Sequence, residues 1–315
     1  MKAAQINSYG GIDVLEINEN APKPSPTENQ VLVEIYTTSI NPIDYKIRKG
    51  YLKQFAPLNF PTTLGGDFAG RVVEVGEGVT NYKVGDEVYG TTIVLSGGSG
   101  AFAEMGVANT KNIALKPKSA SYIEAAALPL AGSSALQGVE GHIKLKKGQR
   151  ILIHGGAGGI GHLAIQIAKE KGAYVATTVS GDDKEFVKNL GADQAIDYKN
   201  ENFAEVLKKF DAVFDTVGGE TDNKSFIVLK TGGILVSMLG SPDETLAQKY
   251  SVTAIGQNTH TNKDHLNRLR ELVDSNTFKV HVDKVFPLDQ IKEAFKYQEE
   301  GHPRGKVVIN IKDQI

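Results

Sequence analysis

The sequence predicts an α/β protein in which a parallel-sheet domain is inserted into a β-rich one, and three changes of texture along the chain carry that reading. Residues up to about 120 run as short extended segments broken by turn residues, among them Val31-Leu32-Val33-Glu34-Ile35, Gly70-Arg71-Val72-Val73-Glu74-Val75-Gly76 and Glu87-Val88-Tyr89-Gly90. From Tyr122-Ile123-Glu124-Ala125-Ala126-Ala127 onward, apolar runs alternate with helical patterns. The runs are Ile151-Leu152-Ile153, Tyr174-Val175-Ala176, Gln194-Ala195-Ile196, Ala212-Val213-Phe214 and Ile234-Leu235-Val236; the helices lie at Leu163 to Lys171 and Lys184 to Leu190. That alternation predicts right-handed βαβ crossovers and a parallel sheet. After about residue 273 the extended texture returns, in Phe278-Lys279-Val280-His281-Val282 and in Lys306-Val307-Val308-Ile309-Asn310-Ile311. The expected domains are therefore 1–121 with 273–315, and 122–272, each large enough for its own core.

Composition narrows the functional classes. Hydrophobic residues make up 40% of the chain and charged residues 23%, so no part needs to be disordered on bulk grounds. Lys and Arg number 35 against 37 acidic residues, a net charge of −2, which offers nucleic acid or an anionic membrane no global attraction. No apolar run approaches the roughly 20 residues that span a bilayer, and the cytoplasm is the expected compartment. The chain has no cysteine, which excludes disulfides, a thiolate nucleophile and any metal site built on sulfur.

The most informative segment is the apolar strand Arg150-Ile151-Leu152-Ile153-His154, followed by Gly156-Ala157-Gly158-Gly159-Ile160-Gly161 and a helical stretch from His162 to Gly172. Strand, G-x-G-x-x-G turn and helix stand in the order that dinucleotide binding requires. Glycine serves a tight turn, a close backbone approach to pyrophosphate, and near contact of helix and strand. The helix start adds N–H groups and a positive dipole end for phosphate. The bland alternative is a glycine-rich turn that only permits close packing. At the end of the second strand, an Asp or Glu would hold a ribose 2′-hydroxyl and repel a 2′-phosphate. The chain has Thr177-Thr178-Val179-Ser180 there. With the acid missing, Ser180 as a donor and Lys184 as a point charge favour NADPH over NADH, against the pull of Asp182 and Asp183 just downstream. Read alone, Lys184 is a solvated residue on the first turn of a helix.

Together these motifs resemble the zinc-free quinone oxidoreductase branch of the medium-chain dehydrogenase/reductase superfamily, over essentially the whole chain. The marks are Asn41-Pro42-Ile43-Asp44, Gly65-Gly66-Asp67-Phe68-Ala69-Gly70-Arg71-Val72, Val84-Gly85-Asp86-Glu87-Val88, Ala127-Leu128-Pro129-Leu130-Ala131-Gly132, the glycine turn, Asp215-Thr216-Val217-Gly218-Gly219 and Gly305-Lys306-Val307-Val308. The resemblance implies a GroES-like catalytic domain formed by both ends of the chain, with a Rossmann coenzyme domain inserted. It implies that Ser134 lies by the nicotinamide side of the cofactor, that Tyr198 packs near the 2′-phosphate with Lys184, and that Val217 and Gly218 belong to a cofactor loop. A homodimer joined through the strand around Ser251 to Ile255 is also implied.

Zinc-dependent relatives in the same resemblance carry a Cys where this chain has Asn41 and a His where it has Gly66. Of the seven histidines only His260 and His265 are closely spaced, and His154 before the glycine turn reads as a packing or hydrogen-bonding residue. Without zinc, simple alcohol oxidation lacks its Lewis acid, whereas hydride delivery to a conjugated acceptor does not need one. The expectation is an NADPH-dependent quinone reductase. An enone or alkenal double-bond reductase and a catalytically weak NADPH-binding protein are the alternatives. The catalytic candidates are Asn41 as an N–H donor beside the nicotinamide, Asp44 in local geometry or a proton network, and Tyr51 lining the acceptor pocket. Their bland readings are a turn residue, a helix N-terminal acid and a half-buried edge tyrosine. Arg304 and Lys306, before the last strand, lie in a stretch that in the family approaches the cofactor, so either contacts a phosphate or sits in a solvated loop.

Overall fold

In the computed structural model, which describes residues 1–312, the chain forms two compact units, Met1–Leu130 with Thr261–Ile315, and Ala131–His260. The helix Tyr122–Ala126, where the helical texture begins, stays with the first unit. Its Tyr122 ring packs edge-on against Tyr36, 4.6 Å between centroids, and its carbonyl accepts a hydrogen bond from Thr37 Oγ1.

The first unit is built on a seven-stranded sheet ordered Val282–Pro287, Lys306–Asn310, Gln30–Ser39, Asp67–Val75, Glu87–Thr91 and Ile113–Leu115, with Met105–Asn109 pairing beside Gln30–Ser39. Only the first two strands run parallel; the rest are antiparallel. The extended run expected at 278–282 lies earlier than the strand observed. Pairing begins at Val282, opposite Lys306, and continues to Pro287, so the final strand sets where its partner starts. The long strand Gln30–Ser39 organises the rest. Ser39 faces Asp67 on one side and Val308 on the other, which brings three distant segments to one end of the sheet.

The second unit holds a six-stranded parallel sheet ordered Gln194–Asp197, Tyr174–Val179, Arg150–His154, Phe210–Asp215, Leu229–Ser237 and Thr253–Gly256. Ile151, Leu152 and Ile153 are fully buried, as suits a central strand covered on both faces. The order reverses at Arg150–His154, where the chain winds outward in both directions. In open parallel sheets a crevice for ligands forms at such a switch point, at the carboxyl ends of the strands. The glycine turn follows that strand directly.

Candidate active site

In the coenzyme unit the three glycines of the G-x-G-x-x-G positions differ in what a side chain would meet. A Cβ at Gly156 would stand 2.0 Å from Thr177 Oγ1, and one at Gly161 would stand 2.2 Å from the Gly155 carbonyl oxygen, so both positions are closed by the protein's own packing. At Gly158 a Cβ would meet only the Gly155 carbonyl oxygen, at 3.4 Å. That position needs no glycine for internal packing, which leaves room for a ligand to approach the backbone. The turn feeds the ten-residue helix Gly161–Glu170, whose N-cap Ile160 supplies no side-chain cap. These residues therefore fit a dinucleotide pyrophosphate: an open glycine, an uncapped helix start and a rigid strand beneath.

Of the other coenzyme candidates, Ser180, Tyr198, Val217 and Gly218 follow the carboxyl ends of strands of this sheet, while Lys184 opens a helix and Ser134 lies on the helix Pro129–Leu136. Val179 pairs with Asp197 in parallel register, so Ser180 and the half-exposed Tyr198 leave adjacent strands side by side. Ser180 Oγ donates to Asp183 Oδ2 at 2.6 Å, and Lys184 Nζ donates to Glu201 Oε1 at 2.7 Å. Ser134 is buried, with its Oγ 2.9 Å from Thr259 Oγ1 and its carbonyl accepting from Gln257 Nε2. The backbone N–H groups of Val217 and Gly218 both donate to Asp215 Oδ1, at 2.6 and 3.1 Å. What that loop offers outward is the exposed Val217 side chain. His154 is fully buried between Thr178 Oγ1, 3.0 Å from Nδ1, and Ser225 Oγ, 2.9 Å from Nε2; burial pushes its pKa down to about 3 and keeps it neutral.

In the unit that holds Asn41, sheet register assembles a buried polar cluster. The Asn41 N–H donates to Asp44 Oδ2 at 2.7 Å while the Asp44 N–H returns to the Asn41 carbonyl at 2.9 Å, fixing the start of the helix Pro42–Arg48. Asn41 Nδ2 donates to Asp67 Oδ2 at 2.8 Å, and its Oδ1 accepts from Lys306 Nζ, which also donates to the Ile40 carbonyl at 3.0 Å. Asp67 in turn accepts the Leu130 N–H, at 3.1 Å to Oδ1. Lys306 is only 3% exposed, so it is not the solvated or phosphate-facing loop residue considered above. Burial pulls its pKa down while Asp67 and Asp44 oppose the shift; burial likewise pushes Asp67 up against the pull of Lys306. Asp67 and Lys306 thus hold both ends of the Asn41 amide, and one Nδ2 hydrogen remains. Tyr51, 65% exposed, lies beyond the helix.

Asp44 has one oxygen with no partner, and burial raises its pKa from 3.8 to about 7. Between those two pH values the folded chain binds more protons than the unfolded one, so stability falls as pH rises through that window. Asp44→Asn carries no charge at any pH and is expected to flatten the fall. In urea unfolding followed by circular dichroism, wild type should lose on the order of 2–4 kcal/mol more than the variant between pH 5 and pH 8. Parallel pH profiles for the two proteins would show that Asp44 is ionised throughout.

Comparison with known proteins agrees with this fold. Residues 27–118 match the family described as alcohol dehydrogenase GroES-like domain, and residues 190–309 the family described as zinc-binding dehydrogenase. The NADPH-dependent alkenal/one oxidoreductase of Arabidopsis thaliana chloroplasts is 39% identical, covering 98% of this chain and 79% of its own. The chloroplast envelope quinone oxidoreductase homolog of the same plant is 35% identical, covering 98% of each chain. Among solved structures, the quinone oxidoreductase from Coxiella burnetii superposes with a TM-score of 0.90 at 36% identity, covering 99% of each chain. The chain belongs to the quinone oxidoreductase branch of the medium-chain dehydrogenase/reductase superfamily. The unit that contains Asn41 and Lys306 is thereby the GroES-like part of this branch, and the parallel sheet its Rossmann part.

Thiolate metal donors are missing from this member of the superfamily. It has no cysteine, and among the described residues no group of three or more His, Cys, Asp or Glu is arranged to hold a metal ion. The positive charge in its buried carboxylate cluster is the Lys306 ammonium, held on Asn41 Oδ1 and the Ile40 carbonyl. These residues do not fit a catalytic zinc. Among the described residues, no helix is long and apolar enough to cross a membrane.

Proposed function

We propose that the protein is an NADPH-dependent quinone reductase that passes hydride to a conjugated acceptor. The observation that carries this reading is the Gly156–Gly161 turn, packed shut at its outer glycines and open at Gly158. When bound, NADPH supplies the hydride, and the quinone gains that hydride and a proton to become the hydroquinone. Gly158 and the start of the helix Gly161–Glu170 would hold the pyrophosphate, Ser134 and Val217 the nicotinamide half, and Ser180, Lys184 and Tyr198 the 2′-phosphate. Gly218 holds the bend on which Val217 stands; its φ is +79°.

Asn41 donates its remaining Nδ2 hydrogen to the acceptor oxygen as negative charge develops there. Asp67 and Lys306 orient that amide, and Asp44 holds the backbone from which it projects, so all three are positioning residues. Tyr51, with its ring outside the core, hydrogen-bonds the acceptor or passes it a proton. A quinone suits this shell because its own conjugation spreads the charge that a zinc ion would otherwise have to balance.

An enone or alkenal double-bond reductase is the second reading, favoured by the 39% identical relative whose name describes that activity. The test is steady-state NADPH oxidation against 9,10-phenanthrenequinone, 1,4-benzoquinone, 2-hexenal, 3-buten-2-one and a simple aldehyde. Turnover should be fastest with the quinones and absent with the aldehyde. Fastest turnover on the enones moves the assignment to the second reading, NADPH binding with no turnover reduces the protein to a binder, and aldehyde turnover stimulated by zinc overturns both reductase readings. The protein acts as a homodimer, a reading supported by the edge position of Thr253–Gly256 in the parallel sheet and tested by light scattering.

A further inference from the structure

The positive charge at the end of the second coenzyme strand is already engaged. Lys184 Nζ lies 2.7 Å from Glu201 Oε1, and the same oxygen accepts the Asp197 backbone N–H at 3.2 Å. Glu201 is therefore held by its own chain segment and does not simply follow the lysine. Asp197, beside it, is turned to Asn200 Nδ2 at 2.7 Å and the Lys199 N–H at 3.1 Å. It packs so near the loop that a Cβ on Gly181 would stand 2.8 Å from its Oδ2. Ser180, the other donor at this place, points at Asp183.

We propose that Glu201 is a specificity-determining residue that competes with the 2′-phosphate of NADPH for Lys184 and so narrows the preference for NADPH over NADH. The inference rests on the assignment of Lys184 to the 2′-phosphate. A phosphate monoester carries close to two negative charges at neutral pH, and to reach Lys184 it must displace or sit beside a fixed carboxylate. NADH presents a neutral hydroxyl at the same point and pays no such cost. The pair is part-exposed, 35% and 39% for the two side chains, so it is weak enough for phosphate to displace. Competition lowers NADPH affinity without blocking it. The Lys184 ammonium keeps the Glu201 carboxyl below its usual range, so the competitor is ionised at any working pH.

The experiment is fluorescence titration of the full chain with NADPH and with NADH, for wild type, Glu201→Gln, Lys184→Ala and the double variant. Glu201→Gln should tighten NADPH by about three- to tenfold and change NADH by less than about twofold. The gain should shrink when Lys184 is already alanine. Lys184→Ala alone should weaken NADPH and spare NADH. If it weakens both equally, the assignment of Lys184 fails and the inference falls with it. If Lys184→Ala is selective but Glu201→Gln leaves NADPH unchanged, or moves both cofactors alike, the assignment stands and the competition is overturned.

Discussion

Lys306→Met is expected to destabilise the GroES-like unit by about 2–4 kcal/mol, because it leaves Asp67 and Asp44 buried without the ammonium that offsets their charge. Methionine matches the length of the lysine stem, so the loss is one of charge and of two hydrogen bonds, to the Ile40 carbonyl and to Asn41 Oδ1. The sign of the pH dependence follows from the carboxyls. Both already have raised pKa values through burial, and removing Lys306, which lowers them, raises them further. The folded variant then holds protons that the unfolded chain releases, so the cost is small near pH 5 and largest near pH 8. Asp67→Asn combined with Lys306→Met should recover part of the loss, since it removes the stranded charge. Urea midpoints at the two pH values check both statements. A pH-independent loss, or a double variant worse than the sum of the singles, would show that Lys306 acts through packing alone.

What was legible in the sequence depended on how local the physics was. The glycine turn, its strand and its helix lie within a single βαβ unit, and apolar periodicity was enough to place them. The Asn41 cluster was not legible in the same way. Asn41 meets Asp67 across 26 residues and Lys306 across 265, and only strand register brings them together. The motifs around Asp67 and Lys306 were visible as marks of the family, but nothing local said that a lysine opening the last strand turns inward to an asparagine. The strand expected at 278–282 was displaced for the same reason, since its register is set by Lys306–Asn310. Lys184 is visible in the sequence as a charge near the second coenzyme strand, while its partner Glu201, 17 residues on, lies beyond the next strand. Its engagement was invisible until the two strand ends were set side by side. Nor does a G-x-G-x-x-G pattern say which glycine is closed by packing and which is left open.

That last distinction gives the largest expected effect on cofactor binding. Gly156→Ala should destabilise the coenzyme unit by about 2–4 kcal/mol, because its Cβ would stand 2.0 Å from Thr177 Oγ1 and 3.0 Å from Ile165 Cδ1. Thr177 has little freedom to retreat: it is fully buried, and its hydroxyl donates to the Ile153 carbonyl at 2.7 Å. Gly158→Ala meets only the Gly155 carbonyl oxygen at 3.4 Å, an ordinary contact, and should leave stability within about 0.5 kcal/mol of wild type. Its methyl group nevertheless fills the space that a pyrophosphate would need, so NADPH affinity should fall by roughly tenfold or more, about 1.4 kcal/mol. The two variants therefore separate folding from binding at positions two residues apart. Thermal unfolding by circular dichroism with and without NADPH reads both quantities: Gly156→Ala should melt early in either condition, and Gly158→Ala should melt normally but lose the shift that NADPH gives wild type. Should Gly158→Ala keep that shift in full, the pyrophosphate does not lie on this turn.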